Sequence, residues 1–417
     1  MRFGSLSIVL AMTLAVTGCG LDGLGEPHPI DRFDYPLEVT ADPAGETLWV
    51  TSGNFDLAFG GGAVMGVDVA THAFIPGASA EIGSYPGAFH LLERDGESSH
   101  GYILSRETNQ LYHLSIGDDE GSPTLGCDGG EEDPSGLVRC NELGVSEATV
   151  TDQEEPLSLG ADPFGAVIRK ARSEGQKDLL ISGAMGEGLL ATFELEEDGT
   201  PTLVGNMPLS SPVFALAEHP VTGQLYTTSK SVNVINVLGV RSAAAEEEAD
   251  TTNPWLELVD TIVLPTYTLA AMDHARDLAF TSDGGRLLAL HRSPSTVYLV
   301  DVRSKAEGTS DTVLTKVSVC NQPGRIQMVG PSDDGTVGEL AYISCYGNNG
   351  VDVVDPASGQ LVAHIRTGRG PFGMAFINNK ELGIRRLYVA NFHSQSVGVI
   401  ELDPTSPYFH TQIAEIR

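Results

Sequence analysis

Arginine and histidine gather in the C-terminal part of the chain, at places where reactive side chains could meet. His274, Arg276, His291, Arg292, Arg325, Asn348, Asn349, Arg369 and His393 each sit at or beside a break between short apolar runs. Against a formal net charge of −32 this is a local reversal of sign. A guanidinium group offers a planar fork of donors that fits a carboxylate or phosphate, and histidine titrates near neutral pH. Brought to one place, such a set would hold a small anion or assist acid–base chemistry on it. The same arginines have a plainer use, because neighbours such as Asp273 and Asp277 can pair with them and tie one segment to the next. His274, in "MDHARD", fits a structural polar contact; His393, in "RRLYVANFHSQSVGVIELDP", fits an exposed turn.

Motifs for covalent or phosphate chemistry are absent. The chain has no GxSxG elbow, no HExxH and no GxGxxG after a strand-like run, and nothing implies a cofactor. "SGAMGEG", residues 182 to 188, has the glycines of a phosphate loop but lies between two strand-like runs with no helix to follow, so it reads as a hairpin turn. Trp49 and Trp255 are the only tryptophans, and Trp49 sits inside a strand-like run, which leaves poor stacking platforms for sugars. The acidity of the whole chain opposes binding to nucleic acid. In the densest acidic stretch, Asp118, Asp119, Asp128, Glu131, Glu132 and Asp133 are hard oxygen ligands of the kind Ca²⁺ takes. Their spacing lacks the alternation of a calcium loop, and a solvated acidic loop that maintains solubility accounts for them.

The first residues bear on the compartment. After Arg2, an apolar run from Leu6 to Val16 is too short to span a bilayer, and Val16-Thr17-Gly18-Cys19 follows. This resembles a bacterial lipoprotein signal with its lipobox at Val16 to Cys19. The resemblance implies a signal peptide over residues 1–18, cleavage before Cys19, and acyl chains on Cys19 that hold the protein to a membrane. Gly20 rather than Asp after the cysteine resembles the sorting rule for outer-membrane lipoproteins, which implies a place in the cell envelope. The alternative is an ordinary secretory signal with an incidental cysteine. Residues 19–35 then read as the lipidated cysteine and a tether of Gly, Pro and Asp. Four cysteines remain, an even number that in an oxidising compartment points to two disulfides. Cys127 with Cys140 closes a short, Gly-rich acidic loop, and Cys320 with Cys345 is the remaining pair. None of these has the CxxC rhythm of a zinc site.

The elements that must position the arginines repeat. Copies anchored at Pro36, Pro86, Pro156, Pro212, Arg276, Pro323 and Pro371 account for nearly everything after residue 35. Their second runs read LWVTS, GYILS, DLLIS, QLYTT, RLLAL, LAYIS and RLYVA; their third runs read GVDVA, LYHLS, TFELE, VNVIN, VYLVD, VDVVD and VGVIE. Val, Ile, Tyr and Thr bounded by Gly, Asp, Asn and Pro form strands, because β-branched and aromatic side chains fit a pleated, half-buried surface. No segment sustains a helical period. Seven four-stranded antiparallel sheets in succession predict an all-β fold, a seven-bladed β-propeller over residues 36–417. The last copy carries its own fourth strand, "YFHTQIAEI", so the ring closes without an N-terminal strand unless "HPIDRFDY" pairs there.

Tyr388-Val389-Ala390-Asn391 resembles the YVTN signature of the YVTN-repeat seven-bladed propellers, and Trp49-Val50-Thr51-Ser52 and Tyr226-Thr227-Thr228-Ser229 are degraded versions of it. The resemblance covers about residues 36 to 417. It implies the propeller fold and leaves function open among lactonase-like enzymes, surface-layer and adhesion-like proteins, and exported propellers without assigned activity.

In a propeller the fourth-to-first and second-to-third links share one face, the top. That places His274, Arg276, Arg292, Arg325, Arg369 and His393 on the top of the fifth to seventh blades. Two long insertions, the acidic cysteine loop of the second blade and "VRSAAAEEEADTTNPW" of the fourth, are expected as third-to-fourth loops on the opposite face. The expected protein is a monomeric, lipid-anchored propeller that binds a protein, a peptide or a small anion without catalysis. A lactonase-like hydrolase working at the channel mouth, or an adhesion ring that only displays loops, are the alternatives. Cells expressing the wild type are expected to incorporate radioactive palmitate into this chain and those expressing Cys19→Ser are not; label retained by the variant overturns the anchor.

Overall fold

Runs of β-branched and aromatic residues broken by Gly, Asp and Asn turns can bury themselves only by pairing into sheets and stacking the sheets. The computed structural model describes residues 25–94, 96–140, 157–173, 175–241, 253–265, 275–303 and 312–417. Among these lie seven sheets, each built on four antiparallel strands in chain order from the axis outward. The innermost strands are Pro36–Ala41, His90–Arg94, Pro163–Arg169, Leu216–Glu218, Ala275–Phe280, Pro323–Val329 and Pro371–Asn379. This is the seven-bladed β-propeller the repeat predicts.

Each second strand is clasped between neighbours on both faces. Thr47–Ser52 and Leu340–Cys345 are buried along their whole length, whereas the outermost strand Leu256–Val263 is mostly exposed. Seven separate hydrophobic cores result, one between each pair of adjacent blades. The repeated aromatic of the second strand is the wedge in five of them: Trp49, Tyr102, Tyr226, Tyr342 and Tyr388 are among the largest fully buried side chains. A side chain of this size contributes roughly 2–3 kcal/mol on burial, which is why the repeat keeps it.

The ring closes between blades seven and one, where Tyr388, Ile377 and Ala375 meet Val50, Met65 and Phe33. The last blade supplies its own outer strand, Thr411–Ile416, paired to Ser396–Glu401. Residues 25–35 form no strand among the described residues, yet they are not a free tether. Phe33 is 2% exposed inside the closing core, His28 is 2% exposed beside Phe59, and the His28 amide donates to Glu81 Oε2 at 2.8 Å. Their burial follows from Phe33 and His28 themselves, which a tether of Gly, Pro and Asp would not need. Cys19 lies outside the described residues.

Two other expectations change. The third blade begins at Pro163, not Pro156. The acidic cysteine loop is not a third-to-fourth loop: a tight turn at Glu120 and Gly121, both in the left-handed region (φ 53° and 87°), already joins Gln110–Asp119 to the fourth strand Ser122–Gly126. The cysteines follow that strand, on the link to the third blade. Val138 and Arg139 there run parallel to the outer strand of the first blade, opposite Ala80 and Glu81, and Glu131–Glu132 pair with them in turn. The arm thus covers an edge that would otherwise offer unpaired backbone groups. Arg139 Nε stands 3.2 Å from Glu81 Oε1 and its Nη2 donates to the Gly25 carbonyl at 3.1 Å, so arm and N-terminal segment are held together. Both disulfides form as expected, Cys127–Cys140 and Cys320–Cys345. The insertion of the fourth blade does lie between the third and fourth strands, Val234–Val240 and Leu256–Val263; its residues 242–252 are outside the described set.

Candidate functional site

The innermost strands enter the channel through bulges. Register slips occur at Pro36/Glu38, Pro163/Gly165, Ala275/Asp277, Pro323/Ile326 and Pro371/Met374. A bulge adds a residue and re-aims the next side chain. Close approach of the blades there demands glycine: a Cβ on Gly373 would stand 2.5 Å from the Glu38 backbone.

In the channel, Glu38, His90, Asp277 and Arg325 line a cavity of about 210 Å³ together with Phe164 and Met374. Arg325 donates to Glu38 Oε1 from Nε at 2.7 Å and from Nη2 at 2.5 Å. Its guanidinium lies 4.8, 5.2 and 5.5 Å from the ring centres of Phe164, Phe372 and Phe214. Asp277 accepts the amides of Ile326 at 2.7 Å and Leu278 at 3.0 Å. Burial pushes both the Glu38 and Asp277 carboxyls up, and the charge of Arg325 opposes that rise. Burial would lower Arg325, but Glu38 and Asp277 hold it above the usual arginine value. Burial first, and Arg325 second, bring His90 down to about 4, so its ring is neutral at pH 7, and its Nε2 has no hydrogen-bond partner.

The top of the channel is differently furnished. Arg276, half-buried, stacks its guanidinium 4.6 Å from the ring centre of Phe214. It makes no ion pair or hydrogen bond among the described residues, and its Nε is buried without a partner. Burial, then the charges of Arg292, Arg325 and Arg106, push its pKa down to about 10, so it remains a cation at neutral pH. Arg106 is held by Asp162 at 2.5 Å, and Arg292 donates to Gln322 Oε1 at 2.9 Å while lying 5.8 Å from the ring centre of Tyr346. The Tyr346 hydroxyl is 2.7 Å from His393 Nε2, and Arg369 Nη2 donates to the His393 carbonyl at 3.2 Å. Phe55, Tyr85 and Phe392 pack beside them, with Phe55 4.8 Å from Tyr85 and 4.7 Å from Phe392.

The structure therefore brings Arg276, Arg292 and Arg325 into one electrostatic neighbourhood and links Arg292 to His393 and Arg369 through Tyr346. Arg325 belongs to the buried cavity rather than to a loop, with its charge committed to Glu38. His291 is buried edge-on to Tyr298, and Asn348 and Asn349 accept the amides of Asn321 and Gly370, which spends them on loop structure. His274 and Asp273 lie outside the described residues. Among the described residues no three of the acidic set around Asp118 and Asp133 bring ligand atoms together; Asp133 instead accepts the Ser135 amide and hydroxyl within its own turn.

Arg106, His90, Glu38, Phe164, Phe214 and Tyr346 escaped the sequence reading. Two signals were present. Arg106 opens the link after one second strand, as "RETN", and Arg292 ends another, at "RSPS", and the triplet Pro-Phe-Gly occurs at both Pro163 and Pro371.

Fold and channel together define a seven-bladed β-propeller with an aromatic, cationic mouth above a buried ionic cavity. Compared by sequence, the chain matches no protein-family model and no curated protein. Solved structures do resemble it. That of Kuenenia stuttgartiensis hydrazine synthase matches with a TM-score of 0.57 and 14% identity, covering 90% of this chain and 97% of that one. A putative 6-phosphogluconolactonase from Bacteroides fragilis matches at 0.54 and 13%, covering 82% and 87%. The β-propeller domain of Myceliophteria thermophila Cps50 (Swd1) matches at 0.56 and 10%, covering 89% and 98%. At these identities the likeness is one of fold.

Removing one partner of a buried, hydrogen-bonded pair strands the other charge. Glu38→Gln is expected to cost about 3 kcal/mol of unfolding free energy in chemical denaturation, and the double variant Glu38→Gln/Arg325→Met less than the sum of its singles.

Proposed function

We propose that this chain is a lipid-anchored, non-catalytic binding propeller of the bacterial cell envelope, akin to the YVTN-repeat propellers. In this reading its mouth takes a small organic anion or a carboxylate presented by a peptide or protein. The observation that carries the reading is Arg276. A cation without an ion pair among the described residues, pressed on Phe214 and crowded by three other guanidinium groups, lies in a chain that is otherwise strongly acidic. An anion relieves that repulsion, and a hydrogen bond to a charged group contributes roughly 1.5–3 kcal/mol. The rings of Phe214 and Tyr346 favour a ligand with a planar body beside its charge. The two disulfides suit an oxidising, extracytoplasmic compartment, in keeping with the lipoprotein-like N-terminus. The solved neighbours range from a putative lactonase to a Cps50 (Swd1) domain, which supports a fold that displays sites more than one tied to a single chemistry.

One observation favours a second reading, a lactonase-like hydrolase. His90, Arg325 and two carboxylates converge on one cavity, and His90 Nε2 is unpartnered. Against it, Arg325 is already neutralised and His90 is too weak a base at pH 7.

Calorimetric titration with small aromatic and aliphatic carboxylates is expected to find one site, weakened at least about tenfold in Arg276→Gln, the loss of one charge-assisted contact, and weakened by added salt. Equal affinity in wild type and Arg276→Gln overturns the mouth as the site. The wild type is expected to hydrolyse no lactone; turnover that disappears in His90→Gln would establish the second reading instead.

A further inference from the structure

A second constellation lies away from the channel, in the crevice between the second and third blades. His100, on Glu97–Ser105, and His113, on the neighbouring strand Gln110–Asp119, point their rings at each other, with His100 Nδ1 3.0 Å from His113 Nε2 and ring centres 5.1 Å apart. Both rings are held from outside the pair. Tyr102 stacks on His113 at 5.2 Å and 12°. The Tyr102 hydroxyl donates to the Gly199 carbonyl at 2.5 Å, which pins the third-blade turn against His100 so closely that a Cβ on Gly199 would stand 2.4 Å from the imidazole. That turn carries the exposed Asp198, whose Oδ1 accepts the Thr200 amide at 3.0 Å.

We propose that His100 and His113 form a two-imidazole binding site for a divalent late transition-metal ion such as Zn²⁺, Ni²⁺ or Cu²⁺, with the Asp198 carboxylate on the adjoining turn as a supporting negative charge and not a placed ligand. Imidazole nitrogen suits these ions. With metal–nitrogen bonds of about 2.0–2.1 Å at a tetrahedral angle, two nitrogens stand about 3.3 Å apart, so the pair needs only a small re-aiming of the rings. The outer contacts from Tyr102 and the Gly199 turn orient the ligands in the way surrounding groups do at metal centres. Metal ligation requires neutral imidazole. The ion takes the place of the proton the two rings now share. This site is independent of the anion reading of the mouth.

The test uses the full chain with its disulfides intact, stripped by a chelator. Zn²⁺ titrated calorimetrically is expected to bind one equivalent, with His100→Gln and His113→Gln each weakening it about 10- to 100-fold and Asp198→Asn about tenfold, the range that loss of supporting groups produces at metal sites. Zn²⁺ is also expected to raise the melting temperature of the wild type and not that of His100→Gln/His113→Gln. Equal binding by wild type and double variant overturns the proposal, since weak adsorption to the acidic surface would then explain the signal. Should the double variant not fold, Cu²⁺ electron paramagnetic resonance on the wild type decides: two coupled nitrogens sustain the site, and an all-oxygen spectrum removes it.

Discussion

Every other feature of this protein depends on the burial of both faces of each sheet. A four-stranded antiparallel sheet with two apolar faces has no stable place alone in water, and stacking seven around an axis satisfies all fourteen faces at once. The consequence is geometric. The second and third strands read as runs of Val, Ile, Leu and Tyr where they are clasped on both sides, whereas an outermost strand such as Leu256–Val263 is mostly exposed. Closure needs the last gap filled as tightly as the other six, and Phe33, from before the first blade, enters the core between blades seven and one.

The first strands are released from that demand because they line the channel instead. Bulges and glycines there let neighbouring blades approach, and the side chains so aimed can be polar. The two ends of the electrostatic arrangement are unlike. In the buried cavity, Arg325 sits among Glu38, Asp277 and three phenylalanines, a cluster whose members satisfy one another across blades far apart in sequence. At the mouth, Arg106 and Arg292 have partners of their own, while among the described residues Arg276 has only the face of Phe214. A net negative chain thus gathers guanidinium groups at one end of its axis, the arrangement on which the proposed anion site rests.

The periodic part of the structure was legible in the residues. Blade number, most strand positions and both disulfide pairs follow from local pattern, since a sheet buried on two faces imposes its composition on each repeat. The misplacements have local causes. A left-handed turn at Glu120 and Gly121 ended the second blade earlier than the acidic run suggested, and the arm after it paired with the first blade through a parallel bridge that no local pattern encodes. Phe33 and His28 were read as linker because their partners lie on blades whose positions the N-terminal residues cannot specify.

What the sequence determined by itself is the all-β repeat, its sevenfold count and the chemistry of the side chains available at the loops. Only the tertiary structure decided which charges remain available. Arg325 and Arg276 stand in equivalent innermost strands, yet one is committed to Glu38, 287 residues away, and the other meets no counter-ion among the described residues. The reason is that pairing across a closed ring depends on distances between blades, and those exist only once the ring has closed.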